Sequence, residues 1–97
     1  MVHPPLERHI RGLAKNSSNV IVTKHAALRM VQRGIPSSVV HQVLRNGRSN
    51  QVPVCNIEKD NLECLMEHFC AGSTIGIVVA ICDENPNLVV VTAMRIS

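Results

Sequence analysis

Apolar positions change period once along this chain, near Gly47. Before that point they recur at helical spacing. Leu6, Ile10, Leu13 and Ala14 follow Pro4-Pro5, a pair suited to opening a helix, and predict one near residues 6–15. The polar run Asn16–Asn19 breaks the pattern, and Val20, Ile21 and Val22 form a brief β-branched strand. Thr23 is placed as an N-cap for a helix over 24–33, with Gly34 as its terminator. Ala27, Leu28 and Val31 gather on one side, continued by Ile35, and this side is expected to pack inward. Pro36 and Ser37 restart the chain, and Val39, Val40, Val43 and Leu44 predict a further helix over 38–46, stopped by Asn46-Gly47.

Beyond Gly47 the segments 49–57, 62–70, 75–82 and 88–95 read as strands, and their short polar connections make them antiparallel neighbours. Pro53 places the first at a sheet edge, since it cannot donate to a ladder. The last two strands lack strict alternation, which suggests the sheet centre, covered by helices on one face and at least partly on the other. The expectation is one α+β domain over 1–97, with N-terminal helices packed on a four- or five-stranded, mainly antiparallel sheet. Residues 1–19 are read as a helical appendage and 20–97 as the core. A chain of 97 residues has little core surface to spare. The stripe Leu6, Ile10, Leu13 is therefore expected to meet a second copy, making a homodimer, or an acidic partner, with packing on its own sheet as the alternative.

Composition narrows the class. With 45% apolar residues and only ten Gly and Pro together, the chain should fold. The longest apolar run, Ile77–Cys82, falls far short of the ~20 residues of a membrane-spanning helix. The N-terminal stretch mixes charges with prolines and has no apolar signal region, so a cytoplasmic protein is expected. Cys55, Cys64, Cys70 and Cys82 form no CxxC pair and read as small buried hydrophobes. Cys64, His68 and Cys70 do share a strand face by parity, so that Cys82 or Cys55 could complete a zinc site. Without tight knuckles that reading is the weaker one, and no cofactor is expected.

Charge is divided along the chain. Residues 1–50 hold eight Lys and Arg against Glu7, a balance of +7, while 51–97 hold Lys59 and Arg95 against six carboxylates, a balance of −4. A basic half suits a polyanion or an acidic protein partner, unless the two halves pair with each other across the fold. Phe69 is the only aromatic residue, so a platform for stacking successive bases cannot be built.

His25, Arg29 and Arg33 lie at i, i+4 and i+8, one stripe spread over about 80° of the helix surface. An imidazole titrating near neutrality beside fixed guanidiniums is what metal-free phosphodiester cleavage would use: a proton-transfer group, with cations for the developing phosphorane charge. The plainer reading is a solvated basic face. Glu63 and Glu67 share a strand face and could supply a base beside the stripe, while His41 reads as a solvated surface residue.

The string Thr23–Ile35, most specifically His25-x3-Arg29-Met30-x2-Arg33-Gly34-Ile35, resembles the family known as domain of unknown function 4258. The second helix ending in Asn46-Gly47 and the strand Val89–Ala93 support the resemblance, which covers about residues 20–97. That family is grouped with the barnase/colicin/RelE-like ribonuclease fold. The resemblance therefore implies helices before an antiparallel sheet and a RelE-like endoribonuclease, the toxin of a toxin-antitoxin pair, cleaving RNA without metal. By position the matching site residues are His25, Arg29, Arg33 and Thr92. His25 would transfer the proton while Arg29 and Arg33 hold the phosphate. The competing expectation is a non-catalytic binding module that engages RNA or an acidic protein such as an antitoxin.

Overall fold

The change of period at Gly47 separates a helical layer from most of a sheet. The computed structural model describes residues 4–49, 54–56, 61–70, 72–82 and 86–96. In chain order they form α1 (Pro4–Ala14), a 3-10 turn (Ser17–Asn19), β1 (Val20–Val22), α2 (Lys24–Arg33), α3 (Ser37–Asn46), β2 (Val54–Asn56), β3 (Asn61–Cys70), β4 (Ser73–Ile81) and β5 (Leu88–Arg95). The sheet order is β1-β5-β4-β3-β2. β2 through β5 are sequential antiparallel neighbours, as short connections require, and β1 lies parallel to β5 with Val20 opposite Leu88. The α+β architecture is the expected one. Pro53, the basis for the edge assignment of β2, lies outside the described residues.

Local chemistry sets the ends of α2. The Thr23 hydroxyl oxygen accepts the Ala26 N–H at 3.1 Å, and Gly34 at φ 64° takes the left-handed turn that closes the helix. The chain then folds back, the Ile35 N–H donating to the Met30 carbonyl at 2.9 Å, so that α3 can start on the same sheet face.

The missing alternation in β5 has a specific cause. Val78 pairs with Thr92 but Val79 pairs with Val90, leaving Val91 as a β-bulge. The bulge reverses parity, so Leu88 and Val90 point to the helices before it and Ala93 after it, all three fully buried. Ile75, Ile77 and Val79 of β4 and Cys64 and Met66 of β3 complete that face, beneath Ile10, Ala14, Ala26, Met30, Val40, Val43 and Leu44 from the helices. Among the described residues no helix covers the opposite face. There the Leu65 and Ile96 side chains close over Gly76, where an added Cβ would stand 3.1 Å from Leu65 Cδ1 and 2.7 Å from Ile96 Cδ1.

One inward face differs from expectation, and a second follows the alternative expectation. In α2 the buried residues are Ala26 and Met30, whereas Leu28 and Val31 are 54% and 81% exposed. The sequence pattern put Ala27, Leu28 and Val31 inside because they are the more numerous apolar set. A small Ala26 instead lets the helix lie close beside β5, and the larger residues face outward. In α1, Ile10 and Ala14 are fully buried, with Leu6 and Leu13 packed against the same core. The stripe thus packs on the chain's own core, the alternative expected for it, with Leu6 and Leu13 only partly buried.

A polar cluster explains how α1 is held. Glu7, 4% exposed, accepts the Ser49 N–H at 2.6 Å and the Arg11 guanidinium at 3.0 Å, while Arg11 also donates to the Gly47 carbonyl at 3.0 Å. Beneath it the Cys64 thiol donates to the Ser49 hydroxyl at 3.1 Å. Burial pushes the Cys64 thiol above its ordinary value, the Ser49 hydrogen bond pulls the other way, and the Glu7 charge adds to the rise. Cys64, Cys70 and Cys82 are free thiols, and among the described residues no group of His, Cys, Asp or Glu could hold a metal ion. The side chain of Cys55 lies outside the described set. His41 is half-buried rather than solvated, and its Nδ1 has no hydrogen-bond partner among the described residues.

Candidate functional site

The helix that carries His25, Arg29 and Arg33 runs along β5 beyond the point where β1 stops. β1 pairs β5 only through Val90, whose carbonyl accepts both the N–H and the hydroxyl of Thr23, at 3.3 and 3.0 Å. From there α2 takes the place of a neighbouring strand. The Arg33 guanidinium donates to the Ala93 carbonyl, and Arg95 reaches back to the Arg33 and Gly34 carbonyls at 3.0 and 3.1 Å. Two arginines therefore close the seam between helix and strand, and Arg95 also complements the negative end of the α2 dipole.

This arrangement keeps part of the expected constellation and separates the rest. His25 is exposed in the first turn of α2, and Arg29, half-buried, lies one turn on with its guanidinium donating to Gln32 Oε1 at 3.0 Å. Arg33 follows on the same stripe, but its guanidinium already serves the β5 edge. Thr92 does not join them. It pairs with Val78, whose neighbours Ile77 and Val79 point to the helices, so Thr92 faces the helix-free side of the sheet. The Val91 bulge sets that direction, which no motif in the strand reveals. Glu63 and Glu67 alternate with the inward Cys64 and Met66 and also face the helix-free side, away from the stripe.

The described surface of the helical layer is consequently basic. Arg8, Lys15, Lys24, His25, Arg33 and Arg45 are all exposed on the helical side. The one carboxylate there among the described residues, Glu7, is buried and paired with Arg11. Of the acidic half, the described carboxylates are Glu63 and Glu67, and both lie across the sheet from these helical cations. Val31 breaks this basic surface with a shallow apolar groove of about 510 Å3 against Ala27, Met30, Ile35 and Pro36, and Leu28 is exposed on the same helix outside it.

A second concavity, of about 380 Å3, opens at the edge of β3 and is lined by Asn46, Arg48, Glu67, His68, Phe69 and Thr74. Its floor is a single antiparallel bridge: the Arg48 N–H donates to the Glu67 carbonyl at 2.9 Å, and the Glu67 N–H donates back at 2.8 Å. Gly47 allows that approach, since a Cβ there would sit 2.8 Å from the Glu67 carbonyl oxygen and would collide with the Val43 carbonyl oxygen. Sequence reasoning missed this cleft because Arg48 and Glu67 meet only through long-range pairing. The available signal was the only aromatic ring of the chain beside a histidine at a strand end.

The comparisons with known proteins add one relationship. No curated protein and no solved structure matches the chain. The model of the family described as domain of unknown function DUF4258 matches residues 22–95, which takes in every element from α2 to β5, so the chain belongs to that family.

Proposed function

We propose that this protein binds RNA through the cations of its helical layer. The observation that carries the reading is the basic helical layer: the exposed Lys and Arg of α1, α2 and α3 share one side, while the half-buried carboxylates Glu63 and Glu67 lie on the other face of the sheet. Such a surface attracts a polyphosphate backbone and releases its counterions. Cleavage in the RelE-like manner rests on His25, which stands in solvent one turn from Arg29 and needs no metal to transfer a proton. Thr92 has no part in that chemistry, and Arg33 can offer only what its bond to Ala93 leaves. In the cytosol, a toxin of this kind would be covered by an antitoxin.

A labelled single-stranded RNA incubated with wild type and with His25→Ala tests both parts. Retarded migration with both proteins and fragments only with wild type is the outcome for a ribonuclease. Retardation without fragments in either leaves a non-catalytic RNA-binding module. No retardation in low salt removes RNA altogether. A second reading, an acidic protein partner, is favoured by Leu28 and Val31, which stay exposed among the cations of α2 as an amphipathic acidic segment would require. Val31→Glu would abolish that contact and leave RNA retardation largely intact.

A further inference from the structure

We infer that the cleft at the β3 edge is a site for one nucleotide of the bound RNA, its base against Phe69 and its phosphate on Arg48. The inference rests on the RNA-binding reading and adds a separate site to it. Arg11, Arg29, Arg33, Arg45 and Arg95 each donate a side-chain hydrogen bond to an acceptor in the protein. Arg48 makes none among the described residues, although it lines the cleft. A donor suited to phosphate thus stands at the cleft, on the face that Phe69 shares, without an acceptor among the described residues. Arg offers a planar fork that a phosphodiester can accept bidentately.

Phe69 supplies the other half. The ring is 68% exposed, an unfavourable placement for the largest apolar side chain in the molecule, and it stands on the cleft rim opposite Thr74. One ring cannot carry a run of bases, but it can carry one. The Arg48–Glu67 bridge shows that the Glu67 N–H and carbonyl point away from β4, and strand alternation sends those of Phe69, two residues on, in the same direction. With the Asn46 and Thr74 side chains, these backbone groups can meet the edge of a base stacked on the ring. A volume of about 380 Å3 falls within the range of about 300–1,000 Å3 of small-molecule sites.

The test uses the full chain, with adenosine 5′-monophosphate followed by amide NMR and a labelled RNA oligonucleotide followed by anisotropy. The expected result is monophosphate-induced shifts clustered at Arg48, Phe69 and Thr74. RNA affinity should fall about fivefold or more in Phe69→Ala and in Arg48→Ala. Because Phe69 is exposed, its replacement should leave the fold intact, and Phe69→Leu, which keeps apolar bulk without a π-face, should lose as much as alanine. RNA affinity unchanged in the cleft variants, with shifts absent or scattered, overturns the inference and leaves RNA binding standing. Shifts at the cleft without any oligonucleotide binding would instead sink the RNA reading and keep a mononucleotide site.

Discussion

Replacing Glu7 by alanine should destabilise the whole domain, although its position near the start of the chain suggests an expendable surface charge. The carboxylate is 4% exposed and accepts the Ser49 N–H at 2.6 Å, so its loss leaves a buried donor unsatisfied, at about 1–3 kcal/mol. The Arg11 side chain is one-third exposed, and its ion pair adds at most about 1 kcal/mol. The expected total is about 1–4 kcal/mol, a substantial part of the roughly 5–15 kcal/mol that holds a typical domain together. Urea denaturation followed by far-ultraviolet circular dichroism should show the midpoint lower by roughly 1 M or more. Glu7→Gln retains a carbonyl acceptor for Ser49 and should recover about half the loss. Arg8→Ala, at an exposed neighbouring position, is the control. A Glu7→Ala midpoint equal to that of Arg8→Ala would refute the claim that this cluster fastens α1 to the sheet.

Gly47→Ala should cost about 1–3 kcal/mol by thermal denaturation, because the added methyl group meets the Val43 and Glu67 backbone, which no rotamer change can relieve. Thr23→Ala removes the acceptor for the Ala26 N–H and should lower stability by about 1 kcal/mol in the same assay. The raised Cys64 thiol fixes a sign with pH. Its contribution is fully present below the ordinary thiol value of 9.0 and is lost as pH rises above it, because the unfolded chain ionises first. The melting temperature should therefore fall more steeply from pH 8 to 10 in wild type than in Cys64→Ala, and parallel curves would show that the thiol is not buried as described.

Much of the architecture was legible because it depends on short-range signals. Thr23, Gly34, Pro36 and Asn46-Gly47 mark helix ends by backbone chemistry, and short polar connections leave antiparallel pairing as the only geometry. The helix α2 misled because periodicity ranks faces by apolar content, whereas packing beside β5 selected the small Ala26. Thr92 misled because one extra residue, Val91, reverses every side chain after it. Arg33 matched a motif yet closes a strand edge, a role visible only once β1 is seen to end at Val22. The cleft between Arg48, His68 and Phe69 arises from pairing across eighteen or more residues and has no local pattern.

The salt dependence of RNA affinity tests the central claim most directly. Anisotropy of a labelled single-stranded RNA, titrated with wild type and with a Lys24→Ala/Arg29→Ala double variant between about 50 and 200 mM salt, gives two slopes of log affinity against log salt concentration. Each phosphate contact to a single strand contributes about 0.7 to the slope, so removing two cations should flatten it by roughly 1.4 and weaken binding at every concentration. No measurable binding at the lowest salt, or a double variant with the wild-type slope, would contradict RNA recognition by the helical layer.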